Sequence, residues 1–256
     1  MIIEHNYPIC EFDPDRKALN QTADFLPRTL PKRCVITFFR KELEQLVAER
    51  KLPLIGRLHS EVVDLPIYGC EVQGEPICIA LPFSTAPGAA ATIEELHAMG
   101  CERFVVCGGA GALEKNTAVG TIIVPTKAVR DEGTSYHYLP PSREVECDAA
   151  CVKKALDALH QKGVPHLAGK TWTTDSFYRE TPAMIDRRRR EGCLTVEMEA
   201  AAFFAVTKYY GLPLVQLLYA GDDVSGPLWD SRDWNRQKNI RANLLQLAMQ
   251  LAVELR

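Results

Sequence analysis

Thr195-Val-Glu-Met-Glu-Ala-Ala-Ala-Phe-Phe-Ala-Val-Thr-Lys-Tyr-Tyr-Gly211, followed by Leu214-Val-Gln-Leu-Leu-Tyr-Ala-Gly-Asp-Asp-Val224, is the stretch whose reading decides the fold. Its Ala/Phe-rich portion reads as a helix that closes on Gly211, with Pro213 just beyond as a stop signal. The apolar run 214–220 reads as a buried strand that empties into Gly221-Asp222-Asp223. In an α/β sheet, ligands collect outside the carboxyl ends of strands, so this acidic loop is where chemistry is expected. Two further carboxylates, Glu197 and Glu199, stand ahead of the helix. If that segment is extended they share a face; if it is helical they diverge by roughly 200° and only one can enter a pocket.

Outward from this stretch, the chain alternates strand and helix signals. Residues 34–39 read as a strand and 40–50 as a helix with Leu43, Leu46 and Val47 on one face. Strands at 68–72 and 76–80 flank Gln73-Gly74, a hairpin signal. Phe83-Ser-Thr-Ala-Pro-Gly-Ala89 is a small-residue loop before a helix over 90–99, and 103–107 is a buried strand leading into Gly108-Gly-Ala-Gly111. Residues 118–125 and 127–130 read as a strand with its lead-in and 167–173 as a further strand, with helices at 148–162 and 235–255. Arg187 to Arg190 reads as a solvated helix face. Residues 1–33, with Pro8, Pro14, Pro27 and Pro31, read as an irregular arm, and 34–256 as a single α/β domain: a twisted mixed β-sheet flanked by helices.

Composition bounds the function. The chain has 256 residues, 46% of them hydrophobic, and a formal charge of −3. Those numbers suit one sizeable core and give no basic surface for nucleic acid or anionic membrane. No apolar run reaches membrane-spanning length, and the first residues lack a signal-peptide pattern. Nine scattered cysteines without C-x-x-C spacing read as reduced thiols of a cytoplasmic protein. The six histidines are dispersed, and no metal site is expected from spacing.

Val196-Glu-Met-Glu-Ala200 with its strand ending in Asp-Asp-Val resembles the nucleoside phosphorylase family, which spans purine nucleoside and uridine phosphorylases and methylthioadenosine/S-adenosylhomocysteine nucleosidases. The resemblance continues through Thr173-Thr-Asp-Ser-Phe-Tyr178, Arg130-Asp-Glu-Gly-Thr-Ser-Tyr-His-Tyr138 and Cys107-Gly-Gly-Ala-Gly-Ala-Leu113, covering roughly residues 65–256 in consistent order. It implies an α/β/α sandwich and cleavage of a ribosyl N-glycosidic bond. Such a reaction needs a carboxylate gripping the sugar hydroxyls and an acid protonating the departing base. The resemblance gives the first role to Glu199, with Met198 packed on the sugar and Glu197 adjacent, and the second to Asp223, with Asp222 sharing a proton. It places the base against Phe177, Tyr178 and Arg179, with Phe177 stacking.

For phosphate, it points to Gly108 and Gly109, and by position to Ser84 and Thr85 at a helix start, where ordinary N-capping is the alternative. Arg40 stands where the family's Gly-Asp-Pro-x-Arg loop would be, with an exposed helix-end arginine as the alternative; the Gly-Asp-Pro is absent, and the family's strand-end arginine aligns with Val106. The expected reaction is phosphorolysis of a purine-type nucleoside, with inorganic phosphate as co-substrate and no cofactor. Uridine phosphorolysis and hydrolysis are the alternatives. The Gln/Arg pair typical of uridine phosphorylases is not reproduced at Arg179-Glu180-Thr181. The resemblance further implies a homo-oligomer (dimer, trimer or hexamer). Two other classes are kept: a nicotinamide-dependent oxidoreductase, whose glycine fingerprint is incomplete here, and a catalytically inert nucleoside-binding protein.

Overall fold

The computed structural model describes residues 2–24 and 26–255. The elements are β1 (Arg33–Thr37), α1 (Arg40–Arg50), β2 (Leu54–His59), β3 (Asp64–Val72), β4 (Glu75–Ala80), α2 (Thr85–Ala98), β5 (Arg103–Ala112) and β6 (Ile122–Asp131). They continue with β7 (Glu144–Glu146), α3 (Ala149–Gln161), β8 (His166–Thr174), α4 (Pro182–Arg190), β9 (Cys193–Glu197), α5 (Ala200–Tyr210), β10 (Leu214–Asp223) and α6 (Lys238–Glu254). All ten strands join one mixed sheet, as expected for an α/β domain.

The centre of that sheet is β5. It pairs in parallel with β1 on one side and β10 on the other, and antiparallel with β9 at its far end. Since β10 pairs with β6, β6 with β8, and β8 with β9, these five strands close into a ring. The other arm runs out through β1, β4, β3 and β2. Phe104 to Cys107 are fully buried, which explains their unbroken apolar run: a central strand covered on both faces cannot alternate.

Helix α5 owes its place to its small residues. Ala200 to Thr207 are all buried, which only a helix enclosed on most sides requires. Gly211 ends it in the left-handed conformation (φ 70°), the C-terminal signal read from the sequence. The β3–β4 turn places Gln73 and Gly74 at φ 54° and 78°, the two left-handed positions of a tight hairpin.

Several expectations shift. Strand β2 was not expected: Gly56 and Arg57 interrupt any alternation, and its register comes from pairing with β3. Helix α2 starts at Thr85 instead of 90. Strand β5 runs straight through the glycines to Ala112 instead of breaking into a loop. Those glycines make room inside the sheet: a Cβ on Gly108 would lie 3.1 Å from the Phe38 ring, and one on Gly109 3.1 Å from Tyr219. The arginine run is not uniformly solvated either. Arg188 is buried, its guanidinium bonded to Asp131 (2.8 Å) and Glu191 (2.9 Å) beside Trp172, because one face of α4 packs on β9 and the end of β8.

The segment before β1 contains short 3-10 turns at Pro8–Cys10 and Thr22–Asp24. It is tied to the domain by Leu30, which is buried in the core and donates its N–H to Met99. Among the described residues no helix is long and apolar enough to cross a membrane.

Candidate active site

The pairing of β9 and β10 with β5 determines what meets at the site. Gly111 lies opposite Val196, while Ala112 lies opposite Asp223, with a register irregularity between Ala220 and Asp223. The ends of β9 and β10 are thereby brought to the same end of β5. Two contiguous cavities open there, of about 720 Å³ and about 280 Å³. They share Gly109, Glu197, Glu199 and Trp234. The larger, outer one is bordered by Phe177, Glu180, Met198, Asp222 and Trp229; the smaller, inner one by Phe39, Gly108, Gln216, Tyr219 and Arg241.

Glu197 ends β9 and Glu199 (φ −135°, ψ −27°) sits at the N-cap position of α5, so the segment is neither strand nor helix across the pair. Both carboxylates reach the cavities, by different routes. Glu197 Oε2 accepts from the N–H groups of Glu199 (2.7 Å) and Ala200 (2.6 Å), while Oε1 accepts from Thr173 Oγ1 (2.7 Å). It therefore caps the helix as well as facing the cavity. Burial, and then the charge of Glu199, push Glu197 up to about 8 against the opposing pull of those hydrogen bonds. Glu199 accepts from the Thr85 N–H at 2.8 Å, and burial raises its pKa as well. Thr85 is held at φ 70°, an uncommon conformation for a β-branched residue, and this bond helps to fix it.

The two aspartates part company. Asp222 borders the outer cavity and accepts from Trp229 Nε1 at 2.7 Å. Asp223, expected to face a substrate, is turned away. Its Oδ1 accepts from the Ser225 N–H (2.8 Å), its Oδ2 is ion-paired with Arg232, and its backbone bridges to Asp230. Burial pushes Asp223 up, but the Ser225 and Arg232 contacts outweigh it and hold the carboxyl below its usual range. Adjacent residues on a strand point to opposite faces, so only one of the pair can enter the cavity. Beside Asp222, Glu197 and Glu199, the outer cavity is lined by Glu180, which burial, followed by the charge of Asp222, raises to about 7.

The remaining expected residues divide. Met198 lines the outer cavity, Phe177 and Tyr178 lie at its edge as a ring pair 4.0 Å apart, and Gly108 and Gly109 line the inner one. Arg179 is exposed and lies outside both linings. Arg40 is likewise exposed, 3.8 Å from Glu44, as its helix-end alternative predicts. Ser84 is exposed and Thr85 gives its N–H to Glu199; neither is among the residues lining the two cavities. Val106 is fully buried in β5.

Gln216, Trp229, Trp234 and Arg241 were not singled out as site residues, and Glu180 entered only within Arg179-Glu180-Thr181. The short distance in sequence from Asp222 to the two tryptophans was the one available hint. Arg241 and Gln216 had none, because α6 and the middle of β10 meet the cavity only through packing. A further convergence invisible in the sequence is the buried trio Cys34, Cys78 and Cys101, whose sulfurs lie within 4.8 Å of one another, a soft donor set. It lies in the core, outside both cavity linings.

Comparison with known proteins agrees with this architecture. The chain is 31% identical over 146 residues to a guanosine phosphorylase of Halorubrum lacusprofundi, covering 57% of this chain and 61% of that one. It is 31% identical over 153 residues to a uridine phosphorylase of Thermococcus kodakarensis, covering 55% of each. These matches span little more than half the length of the relatives. Among solved structures, a uridine phosphorylase from Vibrio fischeri superposes with a TM-score of 0.72 at 23% identity, covering 91% of this chain and 92% of that one. An AMP nucleosidase from Bacteroides thetaiotaomicron does so with 0.71 at 22%, covering 88% of each. At these identities the superpositions speak for the fold. The family model described as the phosphorylase superfamily matches residues 32–252, and the chain belongs to that superfamily.

Proposed function

We propose that this protein is a nucleoside phosphorylase acting on purine-type nucleosides. The observation that carries the reading is the convergence of Glu199 with the Glu180–Asp222 pair on one cavity large enough for a nucleoside. The pentose sits at the junction of the two cavities, its hydroxyls on Glu199 and its ring against Met198. The base lies in the outer cavity, toward Phe177 and the two acids. The inner cavity is then on the far side of the sugar, where a nucleophile must stand for in-line displacement.

In the reaction, a phosphate oxygen forms a bond to the anomeric carbon as the C–N bond breaks. The bonding pair leaves with the base, and a proton neutralises it. Glu199 stabilises the positive charge that builds on the sugar while the one bond breaks and the other forms. The proton comes from Glu180: with its carboxyl raised to about 7, roughly half of the molecules hold that proton at neutral pH. Asp222, anchored by Trp229, supplies the neighbouring negative charge that helps keep it there. A purine, which leaves most readily when protonated on its five-membered ring, suits an acid so placed. Support for this base comes from the acids, while relatives named for guanosine and for uridine both match. The exposed apolar rim of Phe177, Tyr178, Leu228 and Trp229 is consistent with a homo-oligomer whose neighbour covers the mouth.

The test is a panel of inosine, guanosine, adenosine and uridine, assayed with and without inorganic phosphate. Phosphate-dependent release of a purine base together with a pentose 1-phosphate is expected. Release at equal rates in phosphate-free buffer would replace phosphorolysis by hydrolysis, and faster release of uracil would reverse the base preference.

A further inference from the structure

The inner cavity is walled by polar groups that the protein does not itself satisfy. Gln216 on β10 is 1% exposed, and its Oε1 has no hydrogen-bond partner. Arg241, in the first turn of α6, is also largely enclosed, with 13% of its side chain exposed. Its Cζ lies 4.9 Å over the Phe39 ring, and one guanidinium nitrogen donates to the Asn235 carbonyl at 3.2 Å. Its Nε faces Glu42 Oε2 at 3.7 Å, too far for a hydrogen bond, and neither of those two atoms has a hydrogen-bond partner. Buried polar atoms without partners are rare in folded proteins, and three of them gather at and behind this one wall.

Charge adds a second argument. Among the described residues lining the two cavities, Arg241 carries the positive charge; the charged groups otherwise present there are carboxylates. A guanidinium fixed by a ring on one face and a carbonyl at one corner retains free donors in a fixed orientation, the arrangement suited to a tetrahedral oxyanion. The side chain is therefore preorganised, and an anion binding there meets a small cost in side-chain ordering.

The geometry points to Arg241 as the cationic anchor for a phosphate oxyanion in the inner cavity, with Gln216 lining the same cavity and Glu42 behind as the counter-charge that holds the guanidinium when the site is empty. This rests on the phosphorolytic reading for the source of the oxyanion: free phosphate. The same chemistry would accept the phosphate of a nucleotide substrate, and the two sources are separable by experiment.

Full-length wild type, Arg241→Gln, Arg241→Lys and Glu42→Gln are compared by steady-state kinetics, varying inorganic phosphate at saturating nucleoside and then the reverse. For Arg241→Gln the KM for phosphate should rise about 10- to 100-fold, the worth of a charge-assisted hydrogen bond. The KM for nucleoside should move less than about threefold, because the base contacts lie in the outer cavity and the sugar hydroxyls are assigned to Glu199, not to Arg241. Arg241→Lys should recover part of the loss. Glu42→Gln should shift phosphate KM in the opposite direction, down by about threefold or more, since it releases the guanidinium; that sign does not depend on whether Arg241→Gln folds. If a wild type that requires phosphate shows unchanged phosphate KM in both Arg241→Gln and Glu42→Gln, the anchor is refuted while phosphorolysis stands. If wild type cleaves without phosphate, phosphorolysis fails, and the same variants are assayed on a nucleoside and its 5′-phosphate. A loss confined to the 5′-phosphate keeps the site and assigns its source to the substrate; equal effects on both refute it.

Discussion

Glu180→Gln tests the proposed proton-donating step. The structure places this carboxyl in the outer cavity beside Asp222, and burial with that neighbouring charge raises it to about 7. An ordinary glutamic acid at pH 7 is protonated in only about 0.2% of molecules, against about half for a group titrating at 7, a ratio on the order of 10². On the proposed role, the environment raises the protonated fraction at neutral pH by about two orders of magnitude. Removal of the acid itself forfeits the 10²- to 10⁴-fold that general acid catalysis typically provides. The sign of the pH dependence follows. The active form is the protonated one, so wild-type kcat/KM stays level below about pH 7 and falls about tenfold per unit above it. In Glu180→Gln this limb is absent and the level is at least about 100-fold lower. The assay is kcat/KM for inosine from pH 5.5 to 9, run beside an aryl riboside whose leaving group needs no proton. The aryl riboside should lose less than about fivefold, because sugar and phosphate contacts are intact. A variant that keeps the alkaline limb and most of its activity on inosine would refute the assignment and move the acid to Asp222.

Three other consequences can be measured. Glu199→Gln removes the charge facing the sugar, so kcat/KM for a ribonucleoside should fall about 10- to 100-fold, and less for the 2′-deoxy analogue; equal losses on both would disprove contact with that hydroxyl. Glu197 titrates at about 8 in the folded protein, above its unfolded value, so the native state holds the extra proton between about pH 4.5 and 8. The stability it contributes is present below that window and lost as pH rises through it; urea midpoints should drop from pH 5 to 9 more steeply in wild type than in Glu197→Gln, and parallel slopes would contradict the shift. Arg188→Met strips the buried guanidinium from Asp131 and Glu191, whose carboxylates keep partial access to water, so denaturant unfolding should show a loss of about 2–3 kcal/mol, with no loss pointing to relaxation of α4.

Much of the scaffold was legible because its signals are local. Gly211 and Pro213 stop α5, Gln73-Gly74 turns the β3–β4 hairpin, and Asp148 caps α3 by accepting from the Cys151 N–H at 2.9 Å. Strand β2 was missed since its pairing, not its composition, makes it a strand. The arginine run misled in one residue of four, because helical periodicity turns Arg188 inward while leaving its neighbours nearer solvent. At the site, Glu199, Met198 and Asp222 could be named from the segment that carries them. Asp223 could not be separated from Asp222, since which of two adjacent carboxylates faces a cavity depends on strand register and on Arg232, nine residues away.

By itself the sequence determined the superfamily and the segments in which acidic groups gather. It carries two acidic segments on either side of one helix and one strand, a glycine-rich strand that lets backbone approach a ligand, and an apolar pattern with room for a single α/β core. Tertiary structure alone decided how those groups divide the labour. Closing five strands into a ring brings the ends of β5, β9 and β10 together, sets Glu180 against Asp222, sends Asp223 to Arg232, and delivers Arg241 from a helix near the end of the chain to a cavity begun at Phe38. The physical reason is range: turns, caps and periodicity act over a few residues, whereas the field and burial that assign a proton or an anion to one side chain are summed over everything folded around it.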